Sequence, residues 1–141
     1  MAMTVHVDVV STEQMLFSGI AEFVVVPAEM GEIGIYPHHA PLITRMKPGS
    51  VRIKSPDKTV EEVIYVSGGV LEIQPGVVTI LSDMAVRGED LDESLALAAK
   101  SRAEAVMRTH HGTMDFAKAQ VELAEAVAQI QTIERLRKRS H

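Results

Sequence analysis

The sequence contains no cysteine and no tryptophan, and only two tyrosines and three phenylalanines. Without cysteine the chain can form neither a disulfide framework nor a thiolate metal site, which fits a reducing compartment such as the cytoplasm. With so few aromatic rings, a buried core has to be built mainly from valine, isoleucine and leucine. The first residues are neither basic nor apolar over the length of a signal peptide, so we expect a cytoplasmic protein.

Long apolar runs and an excess of positive charge are also absent. No segment approaches the roughly 20 apolar residues that span a bilayer, so we expect any membrane association to depend on another protein. The 141 residues carry a formal net charge of -5. We therefore expect no nucleic-acid partner, because phosphate binding requires a basic face.

Proline is missing after residue 75, and the composition changes once, near Gly88. Before this point short β-branched runs are separated by glycine and proline, and after it the sequence is rich in alanine with helical periodicity. We predict an α+β protein with two units. Residues 1–87 form an N-terminal antiparallel β-sandwich, and residues 88–141 form a C-terminal antiparallel two-helix hairpin.

The predicted sandwich consists of many short strands. Residues 5–10 alternate between positions facing a core and positions facing outward, beginning with Val5. The Ser67-Gly68-Gly69 step predicts a tight strand connection with positive φ angles. Further β-branched runs predict strands at residues 20–26, 42–46, 51–54, 60–66, 70–73 and 77–81.

Residues 30–42 combine glycines, prolines and two adjacent histidines, and we predict a loop that forms a contact surface. His38 and His39 could be metal ligands together with Glu32 or His6. Adjacent residues of an extended chain point to opposite sides, however, and no other ligand completes the set. We therefore predict no metal site, and a turn histidine bonded to the backbone instead.

Residues that could carry catalysis are not grouped in any known pattern. Ser67 does not lie in a nucleophile elbow, and Glu61 and Glu62 are neighbours on a predicted strand, so their carboxylates face opposite ways. We predict that the chain is not an enzyme.

The second unit begins with a capping box, in which Asp90 caps a helix that starts at Leu91 and Glu93 reaches back. Gly112 ends this helix, and the next one is capped by Thr113 or Asp115.

Both predicted helices carry narrow apolar stripes rich in alanine. The first stripe contains Leu91, Leu95, Ala98, Arg102 and Val106, with Ala99 and Ala103 beside it, and the second contains Phe116, Ala119, Leu123, Ala126, Ile130 and Ile133. Alanine buries little area, so the hairpin is held weakly and is either packed on the sandwich or mobile. Four cations follow near the end of the chain: Arg135, Arg137, Lys138 and Arg139. They either complement the helix C-terminus in solvent or grip an acidic protein surface.

Four motifs occur in order along the chain. They are LFSG at 16–19, GEIGIYPHHAPL at 31–42, SGGVLE at 67–72 and LSDMAVR at 81–87, followed by LDE at 91–93. With these motifs and the alanine-rich hairpin, the sequence resembles the epsilon subunits of bacterial F-type ATP synthases over essentially its whole length.

The resemblance implies a noncatalytic subunit of the central stalk that couples proton-driven rotation to ATP synthesis. It implies that the sandwich packs on the gamma subunit and touches the polar loops of the c-ring through Glu32 and His39. The helices of such subunits can extend towards the catalytic alpha and beta subunits and inhibit ATP hydrolysis, and the extended arm would contact beta through Arg135, Arg137, Lys138 and Arg139. The implied location is peripheral, on the cytoplasmic face of the bacterial plasma membrane.

Some members of this family bind ATP through a motif of Ile or Leu, Asp, two variable residues, Arg and Ala. Here Leu91, Asp92 and Ala96 match, but Leu95 stands in the place of the arginine and cannot pair with phosphate. Arg102 is near enough along the helix to compensate. We expect weak ATP binding or none, and no other cofactor. An alternative function is a free-standing β-sandwich module that senses a nucleotide or another small ligand.

Overall fold

A computed structural model describes residues 3–110, 112 and 114–139. Within these ranges there are ten strands, one 3-10 turn and two α-helices. The strands are β1 (Val5–Ser11), β2 (Met15–Ala21), β3 (Phe23–Ala28), β4 (Gly31–Ile35), β5 (Leu42–Met46), β6 (Gly49–Lys54), β7 (Glu62–Val66), β8 (Gly69–Gln74), β9 (Val77–Ser82) and β10 (Ala85–Arg87). The 3-10 turn (Gly88–Asp90) leads into α1 (Glu93–Thr109) and α2 (Met114–Arg139).

The strands form one sheet in the order β10-β7-β6-β3-β5-β8-β9-β1-β2, with β4 paired to β3. The sheet folds over on itself, and its two edge strands meet where the Arg87 guanidinium donates to the Leu16 carbonyl at 2.7 Å. The predicted sandwich is confirmed. One departure is the parallel pairing of β1 with β9, which is possible because most of the sandwich forms the crossover between these two strands.

Aliphatic side chains fill the space between the layers, as the scarcity of aromatic residues predicts. The fully buried members of this core are Val7, Val9, Val24, Val26, Ile35, Val51, Ile53, Ile64, Val66, Leu71, Val78 and Ile80. They occupy the alternate, inward positions of their strands, which is the pattern of a sheet with one face in a core.

Two strand predictions are wrong in detail. Residues 20–26 form two strands, because the chain turns at Glu22, whose amide donates to the Lys54 carbonyl at 2.7 Å. Residues 30–42, predicted as a loop, begin with β4, which pairs antiparallel with β3. Ile35 at the end of β4 is fully buried, so core burial outweighs the turn preference of the neighbouring glycines.

The Gly68-Gly69 connection between β7 and β8 has the predicted left-handed backbone, with φ angles of 119° and 123°. A Cβ atom on Gly69 would lie 2.0 Å from the Leu81 carbonyl oxygen. The connection therefore requires glycine both for conformation and for the close approach of β9.

Helix α1 begins at Glu93, and its N-cap is Asp92, whose carboxylate accepts from the Leu95 amide at 3.2 Å. The predicted start at Leu91 with Asp90 as the cap is wrong. The Leu91 amide instead closes the preceding 3-10 turn, so Asp92 is the first residue whose side chain is placed to satisfy a free helical amide.

Helix α2 begins at Met114, so Asp115 lies inside its first turn and is not its cap. Thr113, the other predicted cap, lies outside the described residues, as does His111 of the connecting turn.

Alanines form the contact between the two helices. Ala119 and Ala126 of α2 are buried, in agreement with the predicted seam. In α1 the predicted stripe is wrong at Leu95, which is 68% exposed, and at Ala98, which is exposed. Ala103, predicted beside the stripe, is buried, and so is Ala96. The face of smallest side chains is buried because it allows the closest approach of the helix axes.

The hairpin folds back on the sandwich. Helix α2 lies across the outward side of β6 and β7, and α1 packs on α2. Neither helix, over the residues described, combines the length and apolarity needed to cross a lipid bilayer.

Candidate functional site

The two outward sides of the sandwich differ in what covers them. Helix α2 covers β6 and β7, whereas no helix of the described residues lies on β5, β8, β9, β1 and β2. We call the outward side of these five strands the open face. Strand register arranges its residues in three rows: Arg45, Val70, Leu81, Val10 and Met15; then Ile43, Glu72, Thr79, Asp8 and Ser18; then Gln74, Val77, His6 and Ile20.

Large apolar side chains are exposed on the open face. Ile43 is 71% exposed, Met15 and Ile20 are each 56% exposed, and Leu81 is 46% exposed. Grouped apolar exposure of this kind marks a protein interaction surface. This surface was not predicted from the sequence. Its signal was the occurrence of apolar residues at both alternating positions of a strand, as at the end of β1, where Val9 faces the core and Val10 faces outward.

A polar cluster interrupts the open face. The Ser18 hydroxyl donates to Asp8 Oδ1 at 2.6 Å, and His6 Nε2 lies 2.9 Å from the same oxygen. The bond from Ser18 is the main cause that lowers the pKa of Asp8, with a smaller contribution from His6 and an opposing one from burial. Ser18 Oγ also meets His6 at Nε2, 3.3 Å away. Both partners use one imidazole nitrogen, so the cluster is not arranged as a proton relay.

We call the two-helix hairpin, α1 and α2, the arm, and the contact between α2 and the sandwich the arm contact. This contact contains a pair of hydrogen-bonded hydroxyl groups. Thr132 is fully buried, and its Oγ1 lies 2.6 Å from Ser50 Oγ and donates to the Ala128 carbonyl at 2.8 Å. Nearby, a Cβ atom on Gly88 would lie 2.6 Å from the Leu136 side chain. The arm contact therefore depends on the hydrogen bond between the Thr132 and Ser50 hydroxyls and on the lack of a side chain at Gly88.

Tyr65 lies under α2 on the outward side of β7. Its side chain is fully buried, and among the described residues its hydroxyl makes no hydrogen bond of normal geometry, Gln129 being within reach of a weak one only. Burial raises the pKa of Tyr65 to about 12, the Gln129 side chain opposes part of this rise, and the Glu125 carboxylate adds to it. The adjacent outward residue Val63 is also buried. The arm thus covers apolar surface that the sandwich would otherwise expose.

Glu32 and His39, the two residues predicted to contact a c-ring, form interactions with different neighbours. Glu32 in β4 is half-exposed, and its carboxylate lies 3.7 Å from the Arg52 guanidinium. His39 lies in the turn after β4, and its Nδ1 is 2.7 Å from the Ala40 carbonyl oxygen. The prediction of a turn histidine bonded to the backbone is confirmed, and the role of both residues at a ring stays a prediction.

The carboxylates and histidines of the described residues do not form a metal-binding group. Among the described residues, no three of them lie close enough together to hold a metal ion. Glu61 lies 3.6 Å from Arg52 and Glu62 lies 3.9 Å from Arg87, so each acid faces a different arginine.

The residues of the proposed ATP motif are dispersed. Leu91 lines a cavity at the 3-10 turn, Asp92 is occupied as the cap of α1, and Ala96 is buried in the hairpin. Arg102 lies ten residues after Asp92, which is about 15 Å along the helix, and lines a different cavity between α1 and α2.

The basic end of α2 is partly engaged within the chain. Arg137 forms an ion pair with Glu93 at the start of α1, and Arg139 donates to the Glu61 carbonyl of the sandwich. The remaining two cations, Arg135 and Lys138, line an open groove beside the β6–β7 connection.

Two family models match the chain. Residues 4–88 match the β-sandwich domain of the ATP synthase delta/epsilon chain, and residues 89–134 match the long α-helix domain of the same chain. The chain is 61% identical over 136 residues to the ATP synthase epsilon chain of Nitrosospira multiformis, covering 96% of this chain and 97% of that protein. It is 56% identical over 139 residues to the epsilon chain of Nitrosococcus oceani, covering 99% of both.

Solved structures share the fold at low sequence identity. A chain in the cryo-EM structure of Euglena gracilis mitochondrial ATP synthase (OSCP/F1/c-ring) superposes with a TM-score of 0.72 at 16% identity, covering 98% of this chain and 82% of that one. A chain of the Tetrahymena thermophila mitochondrial ATP synthase central stalk and c-ring gives 0.60 at 10% identity, covering 92% and 96%. The matches of sequence over both units show that this chain belongs to the ATP synthase delta/epsilon chain family.

Proposed function

We propose that this chain is a noncatalytic subunit of the central stalk of a bacterial F-type ATP synthase. It couples proton-driven rotation of the rotor to ATP synthesis, and its C-terminal helices restrain ATP hydrolysis when they leave the sandwich. Three observations support this proposal. The chain belongs to the ATP synthase delta/epsilon chain family, its relatives are named ATP synthase epsilon chain, and it shares its fold with a chain of a central stalk and c-ring structure. The complex would hold it at the cytoplasmic face of the plasma membrane.

The open face is the observation that carries the coupling role. A subunit that turns with a shaft needs a rigid surface fixed to that shaft, and this face combines exposed aliphatic side chains with a polar cluster on a strand scaffold. The partner we propose for it is the gamma subunit. Apolar contacts of this face would supply the affinity, and Asp8, whose carboxylate stays ionised, would orient a cationic or hydrogen-bonding group of gamma.

The edge of the sandwich around β4 is the proposed contact with the polar loops of the c-ring. Glu32 keeps a half-exposed carboxylate beside Arg52, and His39 lies in the turn that follows. Both groups can form hydrogen bonds with polar loops, which suits a contact that is kept while the rotor turns.

The arm contact supports a movable hairpin. Its polar part consists of a hydroxyl pair and of the Arg139 bond to the sandwich, and its helices meet through alanines. A contact of this size lies in the range of a few kcal/mol, within which a partner or ligand can shift a two-state equilibrium. The released cations Arg135, Arg137, Lys138 and Arg139 would then meet acidic residues of the beta subunit.

Binding to purified gamma subunit tests the function. The variant Leu81→Asp places a charge in the middle of the open face, and Leu97→Asp is its matched control, because Leu97 on α1 is 48% exposed and Leu81 is 46% exposed. We expect Leu81→Asp to weaken binding to gamma by at least about tenfold, and Leu97→Asp to bind like the parent. If both variants bind equally well, or if the parent does not bind gamma, the proposed function is wrong.

A further inference from the structure

The middle row of the open face carries two carboxylates. Asp8 in β1 and Glu72 in β8 lie on either side of Thr79 in β9, because the register aligns Thr79 with both of them. Neighbouring strands of a sheet are about 4.8 Å apart, so the two acidic residues lie about 10 Å apart. In the adjacent row the exposed side chains of Val70 and Leu81 lie beside them. Both charges are therefore set among apolar groups.

Neighbours on the same face hold both carboxylates in place. Asp8 accepts a hydrogen bond from the Ser18 hydroxyl at 2.6 Å, and Glu72 Oε1 accepts one from the Gln74 side-chain amide at 2.5 Å. These bonds orient each acid before a partner arrives, so less side-chain entropy is lost on binding. The two charges are thus preorganised for a contact.

These two acids differ from the other acids of the strands. Glu32 in β4 and Glu62 in β7 each lie within 4 Å of an arginine. Over the part of the chain that the structure describes, no lysine or arginine lies within 4 Å of Asp8 or Glu72. Among the described residues of the three rows, Arg45 is the single lysine or arginine, and it lies at the end of the first row. The centre of the open face is therefore negative and without a counter-ion.

A partner that covers the open face has to compensate these charges. An ionised carboxylate buried without a counter-ion costs much more than an apolar contact gains. Protonation does not remove the cost at Asp8, because the bond from Ser18, and to a smaller extent His6, lowers the pKa of this carboxyl. Lysine or arginine side chains can compensate the charge through charge-assisted hydrogen bonds, which are stronger than those from neutral donors.

We propose that the open face recognises a partner surface with two cationic side chains about 10 Å apart in an apolar surround, one pairing with Asp8 and the other with Glu72. The inference rests on the proposed function, in which the partner is the gamma subunit, and it specifies the chemistry of the gamma surface. Two separate charge pairs fix the rotation of the sandwich on gamma as well as its position. The aliphatic side chains supply affinity, and the charges supply register.

Binding of full-length variants to purified gamma subunit tests the proposal. Asp8→Asn and Glu72→Gln keep the shape and the accepting oxygen of each side chain and remove its charge. Asp57→Asn, at an exposed position between β6 and β7, is the matched control. We expect each open-face variant to weaken binding at least about fivefold and the double variant at least about 25-fold. The control should bind like the parent.

Salt dependence and charge reversal distinguish a cationic partner from a neutral one. The affinity of the parent for gamma should fall more steeply between about 50 and 500 mM NaCl than that of the double variant, because salt screens attractions that the double variant lacks. Asp8→Lys should bind more weakly than Asp8→Asn, because like charges repel.

Parental affinity in both Asp8→Asn and Glu72→Gln would overturn the proposal, and a loss in only one of them would overturn the two-point match. A double variant that depends on salt as steeply as the parent, or a control that is weakened equally, would overturn it as well. None of these results contradicts the proposed function as long as the parent binds gamma and Leu81→Asp binds more weakly. Failure of the parent to bind gamma is the separate result that contradicts the function itself.

Discussion

Tyr65 is a residue whose burial depends on the helix that covers it. It is the outward residue of a strand whose inward neighbours Ile64 and Val66 belong to the core, yet it is as deeply buried as they are. Its burial is due to α2, and within the described residues Gln129 of that helix offers its hydroxyl a weak hydrogen bond at most. A buried hydroxyl without a partner costs stability, so this position separates the benefit of apolar contact from the cost of a polar group.

We expect Tyr65→Phe to leave the protein at least as stable at neutral pH, with a gain of about 1 kcal/mol from the removed hydroxyl. The difference should grow in alkali. The unfolded tyrosine ionises near pH 10 and the folded one near pH 12, so the parent loses stability over this window as the pH rises, by up to about 1.4 kcal/mol per pH unit. Urea unfolding of both proteins at pH 7, 10 and 11 measures this. A variant that is destabilised by more than 1 kcal/mol at pH 7 would show that the hydroxyl is hydrogen-bonded.

Thr132 and Ser50 form the second residue-scale test. Thr132→Val keeps the shape and leaves the Ser50 hydroxyl without its partner under the arm. We expect docking to weaken by about 1–2 kcal/mol, measured as the docked fraction from the distance between spin labels at Met30→Cys and Met114→Cys, two exposed positions in a chain without cysteine. The double variant Ser50→Ala with Thr132→Val should be closer to the parent than the single one, because no buried hydroxyl remains unpaired. A single variant that docks like the parent would contradict the assigned role of the pair.

At the scale of elements, α2 is the part of the chain that joins the two units. One of its sides carries the alanines that meet α1, and another carries Thr132 and Leu136, which meet the sandwich. The side that meets α1 is built from alanines, so the two helices approach closely but bury little area. The side that meets the sandwich covers the apolar surface of Tyr65 and Val63 and also depends on close fit at Gly88.

Gly88→Ala tests this fit. The added methyl group would lie 2.6 Å from a Leu136 methyl group and 3.3 Å from the Val63 carbonyl oxygen. We expect the sandwich to keep its thermal stability and the arm to undock more often, seen as faster hydrogen exchange in α2 than in the parent. Gly76→Ala is a useful contrast, because its φ of 77° strains any side chain but its surroundings are open. If exchange in α2 is unchanged by Gly88→Ala, close approach at this point does not limit docking.

The elements that periodicity could specify were predictable, and those that tertiary contacts specify were not. The alternation from Val5 onward predicts β1, and the recurrence of Ala119 and Ala126 predicts the seam of α2, because each pattern is visible within one segment. The start of α1 could not be placed, since two acidic residues, Asp90 and Asp92, could serve as caps and the 3-10 turn decides between them.

The candidate sites were less accessible from sequence for a physical reason. Alternation shows that a strand has two sides, but it does not show what covers the outward one. The outward residues Tyr65 and Leu81 are both apolar, and only the path of α2 buries the first and leaves the second exposed. The motif resemblance singled out Glu32 and His39 as candidate contacts, but only the fold shows their interactions with Arg52 and with the Ala40 carbonyl.

At the scale of the whole molecule, two units are stacked, and one face of the sandwich remains for a partner. Deleting everything after Arg87 removes the arm and leaves the core strands intact. We expect the remaining sandwich to fold and to bind gamma, because the open face is unchanged, and to lose its effect on ATP hydrolysis by the assembled enzyme. Tyr65 and Val63 become exposed in this truncation, so a lower solubility is expected. A truncated protein that is unfolded would show that the boundary between the units is wrong.

ATP binding is a second whole-molecule prediction, since the motif residues and Arg102 line different cavities. We expect calorimetric titration of the full chain with ATP to show binding weaker than millimolar or none, because Leu95 replaces the motif arginine and Arg102 lies in another cavity. Leu95→Arg restores the motif and should tighten binding if the remaining residues can converge. A micromolar affinity in the parent would contradict this expectation.

The Arg87 bond to the Leu16 carbonyl has a mechanical consequence. Arg87 is the last residue of β10, a three-residue edge strand, and the arm is attached directly after it. Tension on the arm therefore acts first on the hydrogen bond between Arg87 and Leu16, which joins the two edges of the sheet. Because β10 pairs with β7 over only three residues, a pulling force on the arm should open this edge of the sheet before it disturbs the valine-rich interior.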